Sequence, residues 1–176
     1  MENLAVKVLK KTRVAEGIAS FELASLDGKP LPAFSAGSHI DVQVPGGLTR
    51  QYSLCNDSGE QHRYRIAVLR DPASRGGSTG MHDAVNEGDI LQISAPRNHF
   101  PLHQAKRTLL FAGGIGVTPL LCMAQRLGAI GSDFTLHYCT RSEERTAFRK
   151  EIAASPFASK VRLAWCSGKW LRGALI

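Results

Sequence analysis

The chain has 176 residues, is 43% apolar, and carries 22 lysines and arginines against 15 aspartates and glutamates, a formal charge of +7. That length allows one large or two small globular domains, and the N-terminus shows neither a long apolar run nor a small-residue cleavage site, which argues against a signal peptide or membrane span and for the cytoplasm. The basic residues are scattered, with only Lys10-Lys11 beside Arg13 and Lys106-Arg107 clustering, a pattern that argues against nucleic acid and suits an anionic cofactor or an acidic protein partner.

Alternating or β-branched stretches predict strands at Leu4 to Lys10, Arg13 to Leu23, His39 to Val44, Thr49 to Cys55, Tyr64 to Leu69 and Ile90 to Ser94, with Gly, Pro, Asp and Ser clusters between them. Six short strands in succession suggest an antiparallel barrel. Ser78 to Val85 interrupts them with a cap-like serine after Gly76-Gly77 and apolar spacing at Met81 and Val85, the marks of a short helix. Pro96 and Pro101 mark an exit into a linker. The pattern then changes: Thr108 to Ala112 is a continuous apolar run suited to a strand buried on both faces of a parallel sheet. A glycine turn, a helix through Leu120 to Leu127, a strand at Phe134 to Tyr138, a helix at Glu143 to Ile152 and a strand at Val161 to Trp165 follow, the beginning of a doubly wound unit. Cys166 to Ile176 offers no further strand of such a sheet.

Two segments carry chemical potential. In Gly113-Gly114-Ile115-Gly116-Val117-Thr118-Pro119, the glycines admit close ligand approach, Thr118 suits a helix N-cap and Pro119 the first helical position. A helix start of this kind offers free N–H groups to a diphosphate, but the same residues also make a purely structural turn. In Arg50-Gln51-Tyr52-Ser53-Leu54, followed later by Gly76-Gly77-Ser78, the arginine could bind a phosphate and Tyr52 could pack on a flat heteroaromatic. The segment equally suits an ordinary amphipathic strand. Strict alternation places Arg50 and Tyr52 on one face and Ser53 on the other, so a ligand touching all three requires the strand to end there or the ligand to wrap its edge. Cys55, Cys122, Cys139 and Cys166 form no CxxC pair or cluster spacing and read as buried free thiols. The six histidines show no metal-ligand spacing, and Asp83 and Glu87 read as solvated or helix-terminus carboxylates.

Taken with Arg75-Gly76-Gly77-Ser78 and Pro96-Arg97-Asn98-x-Phe100-Pro101-Leu102, these ordered motifs resemble the ferredoxin reductase-like flavoproteins, within them the phthalate dioxygenase reductase and vanillate demethylase reductase branch. The resemblance covers nearly all of residues 4–165. It implies a six-stranded antiparallel Greek-key barrel binding FMN, residues 1–103, and a partial doubly wound parallel-sheet domain binding NAD, residues 104–176. Arg50, Ser78 and the Gly76-Gly77 backbone would hold the FMN phosphate, with Gln51 alongside. Tyr52 would contact the flavin, Ser53 would lie near its reactive N5, and Ala67, Val68 and Leu69 would offer backbone groups to ring and ribityl chain. Gly113, Gly114, Ile115, Gly116, Thr118 and Pro119 would face the nicotinamide and diphosphate, with Thr118 close to the hydride path. Arg141 and Ser142 would lie at the adenosine ribose, where Glu143 or Glu144 would suit NADH and the Arg-Ser pair NADPH; the branch favours NADH.

The resemblance further implies an oxygenase reductase component that passes electrons to a 2Fe-2S ferredoxin domain or an oxygenase component. This chain lacks the cysteines for that cluster, and lacks the later Cys-Gly-Pro segment of the nicotinamide pocket. The expectation is a truncated or frame-shifted chain, or one served by a separate ferredoxin. Two other functions remain open: a flavin-binding module without nicotinamide turnover, and a nucleotide-binding regulatory domain.

Overall fold

Residues 3–165 are described by a computed structural model, and their strands segregate into two sheets. The first contains β1 (Asn3–Ala15), β2 (Ile18–Ser25), β3 (His39–Val44), β4 (Leu48–Ser53), β5 (Tyr64–Leu69) and β6 (Ile90–Ser94), with helix α1 (Gly77–Ala84) inserted before β6. Its order is β4-β3-β6-β1-β2-β5, and every pairing is antiparallel. Val6 and Val8 on β1, Phe21 and Leu23 on β2, and Ile40 and Val42 on β3 are fully buried in one apolar interior, as the alternation of those strands requires. The sheet curls until its edge strands β4 and β5 approach each other without sharing a ladder. That seam positions the site described below.

The second sheet is parallel, in the order β7 (Thr108–Gly113), β8 (Phe134–Thr140), β9 (Val161–Trp165). Helix α2 (Val117–Ala129) crosses between β7 and β8, and the short α3 (Arg149–Ala154) precedes β9. Leu121, Cys122 and Met123 of α2 share a buried cluster with Ile18 and Ala67 of the first sheet and with Ala36 and Cys55 of its loops, so a continuous core joins the two sheets. No helix among the described residues is long and apolar enough to cross a membrane. Cys55 and Cys122 are buried free thiols, each pushed up to about 12 by burial, and Cys139 is half-buried. The fourth thiol, Cys166, and the C-terminal reach of the expected second domain lie outside the described residues.

Five sequence expectations need correction. The predicted break between Lys10 and Arg13 is not a turn: β1 runs through it with irregular register, and the hairpin turns at Glu16-Gly17, where Gly17 has φ +69°. The strand at β7 is not buried on both faces. Leu110 and Ala112 are buried beneath α2, but Leu109 is 52% and Phe111 69% exposed, because nothing among the described residues covers the opposite face. Ser78 does not cap α1; Gly76, at φ +100°, occupies that position. Thr118 does not cap α2, because its hydroxyl donates back to the Ile115 carbonyl at 3.1 Å. Finally, α3 begins at Arg149 rather than Glu143. Upstream, the Thr140 and Thr146 hydroxyls bond each other and the Ser142 carbonyl, and Phe148 adopts φ +61°; both features favour a turn over a helix.

The linker from β6 is fastened to β3. His39 and Arg97 exchange backbone hydrogen bonds at 2.9 Å in both directions, and Arg97 pairs with the Asp41 carboxylate. Burial acts to raise the Asp41 carboxyl, yet the Arg97 guanidinium holds it below its ordinary value. The His39 imidazole is lowered by burial, then by the Arg97 and His99 charges, against the pull of Asp41. A neutral histidine that resists protonation in the fold but not in the unfolded chain makes stability rise with pH. Its contribution is complete above about pH 6.5 and is lost as pH falls through the lower folded value. The urea midpoint of the wild-type chain is therefore expected to fall more steeply than that of His39→Asn between about pH 7 and about pH 5; parallel curves would contradict the assignment.

Candidate functional site

A cavity of about 690 Å³ opens at the seam between β4 and β5. Arg50, Gln51, Tyr52 and Ser53 line it from β4, Ala67, Val68 and Leu69 from β5, and Gly77 and Ser78 from the start of α1. Ile115, Gly116, Thr118 and Pro119 close it from the turn after β7. Thirteen of the sequence-predicted site residues thus meet in one space. The alternation difficulty at Ser53 is resolved by geometry: β4 ends there, and Leu54 and Cys55 leave to bond Ser38 and Arg65.

The β5 edge supplies main-chain groups. Arg65 O accepts from Cys55 N–H on the β4 side, whereas Arg70 N–H donates to Gly17 O on the β2 side. Because successive residues of a strand alternate their hydrogen-bonding direction, Ala67 and Leu69 direct their N–H and C=O groups toward the seam. A planar ligand with amide and imide edges would find both donors and acceptors there.

The part of the lining formed by Arg50 and the start of α1 offers groups that favour negative charge. The first turn of α1 has N–H groups with no intrahelical partner and the positive end of the helix dipole. Arg50 packs across this turn: a Cβ placed on Gly77 would stand 2.6 Å from its Nε and 3.0 Å from its Cγ. Among the described residues Arg50 has no carboxylate within ion-pair distance, and its Nη1 donates to the Thr49 carbonyl at 2.9 Å. Glycine at 77 is therefore the condition for setting a guanidinium beside a helix start. Tyr52, half-buried next to it, has its phenol raised by burial, with the Arg50 charge acting in the opposite direction.

Helix α1 is itself anchored. His82 Nε2 lies 2.8 Å from Val68 O, Arg70 pairs with Asp83 at 2.6 Å, and Lys11 Nζ caps the last turn through His82 O and Val85 O at 2.6 and 2.7 Å. Glu87 accepts from the Lys11 amide at 2.8 Å. These carboxylates hold structure, as their positions at the helix end suggest.

Five expected residues do not line the cavity. Gly76 sits behind it as the α1 cap, while Gly113 and Gly114 form the approach to the turn, with open space where a Cβ would stand. Arg141 is exposed beyond the end of β8, and Ser142 uses its carbonyl for the Thr140 and Thr146 hydroxyls. Asp71, Ala73, Ser74 and Arg75 line the cavity without having been assigned to it. The Asp71 amide donates to the Ser78 hydroxyl at 3.0 Å, and Ser74 Oγ accepts from Thr79 N–H at 3.4 Å. The adjacency of Arg75 to Gly76-Gly77 was the available signal; nothing in the sequence marked Ala73.

A curled antiparallel sheet whose open seam faces the glycine turn of a parallel α/β unit is the architecture of ferredoxin reductase-like oxidoreductases. No protein-family model matches the chain. It is 57% identical over 155 residues to a vanillate O-demethylase oxidoreductase of Pseudomonas putida, aligning 88% of this chain with 49% of that protein. It is 49% identical over 162 residues to a phthalate dioxygenase reductase of Burkholderia cepacia, 91% of this chain with 50% of that one. A solved phthalate dioxygenase reductase, described as a modular structure for electron transfer from pyridine nucleotides to [2Fe-2S], superposes with a TM-score of 0.92 at 46% identity, covering 98% of this chain and 54% of its own. The chain spans about half the length of the curated relatives it matches. Over that half it is similar to the phthalate dioxygenase reductases and vanillate O-demethylase oxidoreductases.

Proposed function

We propose that this chain carries the flavin and nicotinamide sites of an oxygenase-system reductase, with residues 1–103 as the flavin unit and 104–176 as the nicotinamide unit. FMN held there would take a hydride from NADH, and a ferredoxin domain or oxygenase component outside this sequence would receive the electrons. The observation that carries the reading is the single cavity in which β4, β5, the start of α1 and the post-β7 turn meet.

The donor set suits FMN. Arg50 and the first turn of α1 would hold a phosphate dianion, since a guanidinium and free N–H groups both favour negative charge. The seam-facing groups of Ala67 and Leu69 would orient the ring, and Tyr52 would cover it. When bound, FMN supplies a hydride acceptor and subsequent one-electron transfers. Ser53, at the end of β4, and Thr118, in the first turn of α2, both line the cavity and would flank the reacting centres. Their task is orientation and exclusion of water, because hydride transfer calls for no general acid or base of shifted pKa.

NADH is preferred to NADPH on the family resemblance. Glu143 is held by Arg149, so ribose recognition by an acidic side chain falls to Glu144 or requires that pair to open. Purified chain incubated with FMN is expected to retain a yellow flavin spectrum, and stopped-flow mixing should show faster bleaching by NADH than by NADPH. Failure to take up flavin overturns the reading. Flavin uptake without bleaching by either nucleotide would support a narrower flavin-binding role, a result consistent with Gly113, Gly114, Arg141 and Ser142 lying outside the cavity.

A further inference from the structure

The segment between β8 and the end of α3 reaches back to the first sheet at three points. Glu16 N–H in the β1–β2 turn donates to Glu144 O at 2.7 Å, and the Glu16 carboxylate pairs with Arg145 at 3.0 Å. The third contact is of a different kind. Arg65 on β5 pairs its Nη1 with Glu151 Oε2 at 2.7 Å, and its guanidinium lies 4.7 Å from the centre of the Phe148 ring.

Solvent screens the Glu16–Arg145 pair, whose side chains are each about half exposed. Arg65 is only 13% exposed and Glu151 39%, so the guanidinium's stack on the buried Phe148 ring acts in a drier setting while its ion pair is partly screened. Phe148 is buried and is the single non-glycine residue at positive φ among the described residues, a backbone state that persists only where packing imposes it. Glu151 stands in the first turn of α3, where the dipole stabilises its charge. One guanidinium therefore secures both the strained entry to α3 and its first turn.

Its position on β5 gives this clamp a consequence. Arg65 precedes Ala67 by two residues on the same edge of the strand, and Ala67 belongs to the cavity wall. At its other end the clamp holds the segment that starts at Arg141 and Ser142. We propose that Arg65 is a positioning residue: through Phe148 and Glu151 it fixes the 141–151 segment relative to the flavin-bearing strand, and so sets how a bound nicotinamide meets the flavin. This rests on the functional reading above.

The test compares Arg65→Gln with Arg65→Lys, which keeps a charge for Glu151 but loses the planar stack, and with Glu151→Gln. In cofactor-free protein, amide hydrogen exchange within residues 141–151 is expected to rise about tenfold in Arg65→Gln and less in Arg65→Lys, with β3, β4 and α1 unchanged. With FMN added, affinity for flavin should stay within about twofold, whereas single-turnover reduction by NADH should slow by about a hundredfold, the scale expected of a small misplacement of reactants. Unchanged exchange in the 141–151 segment overturns the proposal, as does a uniform rise across both sheets, which denotes general loss of stability. Raised local exchange with wild-type reduction rates also overturns it. If the wild-type chain itself takes up no flavin or is not bleached, the functional reading fails, while the exchange measurement still decides whether Arg65 holds the segment.

Discussion

Arg50→Ala is expected to weaken FMN binding by about ten- to a hundredfold while leaving the fold intact. A hydrogen bond to a charged group contributes about 1.5–3 kcal/mol, and each 1.4 kcal/mol is a factor of ten in affinity. The fold should survive because Arg50 neutralises no carboxylate among the described residues and bonds only its neighbour's carbonyl at Thr49; removing it strands no buried charge. Gly77→Ala should reproduce part of the loss without removing any ligand-binding side chain. Its new methyl would stand 2.6 Å from Arg50 Nε, and the atom that must yield belongs to a flexible side chain, so the guanidinium shifts and the helix stays. If Gly77 acts through Arg50, the two effects are coupled and the double variant binds FMN no more weakly than Arg50→Ala alone. Quenching of flavin fluorescence on titration measures all three. Additive losses would mean that Gly77 serves the ligand directly, and unchanged affinity in Arg50→Ala would remove the phosphate site from this wall.

How far the chain announces this arrangement depends on whether the cause is local. The barrel strands were legible because one buried face imposes a period of two, as at Val6 and Val8 or Ile40 and Val42. The first hairpin was misplaced: β1 continues through Lys11, whose side chain caps α1, and the chain turns only at Glu16-Gly17. At β7 the apolar run was read as doubly buried; Leu109 and Phe111 show that an apolar residue does not guarantee a covering layer. Most site residues were recognisable as motifs, yet their convergence was not. Arg50, Ala67, Gly77 and Ile115 come together only because the sheet order brings β4 round to β5, a consequence of long-range pairing that no window of sequence contains. Phe148 was also hidden, since its φ of +61° occurs in a buried residue whose ring packs against Arg65, 83 positions away.

Gly37→Ala should be the more damaging glycine substitution, lowering stability by about 3 kcal/mol, or roughly 6–12 °C in Tm for a chain of this size. Gly37 is buried at φ +95°, and a Cβ there would stand 1.9 Å from the Phe100 carbonyl oxygen and 3.0 Å from Met123 Cε. The first obstacle is backbone and cannot rotate away. Phe100 belongs to the linker that Asn98 ties down, its Nδ2 donating to Ser35 Oγ at 2.7 Å and to Ala36 O at 3.0 Å while its Oδ1 accepts from Phe100 N–H at 3.0 Å. Displacing that linker should disturb α2 through Met123, and with it the turn that closes the cavity. Gly46→Ala separates strain from contact, because Gly46 has a similar φ of +99° but open space around the added carbon. It should cost only the conformational penalty, about 1 kcal/mol. Equal losses in the two variants, measured by urea denaturation, would show that left-handed backbone strain alone governs both sites. A larger loss at Gly37 that also weakens nucleotide binding would identify this linker crossing as the place where the two sheets are held in register.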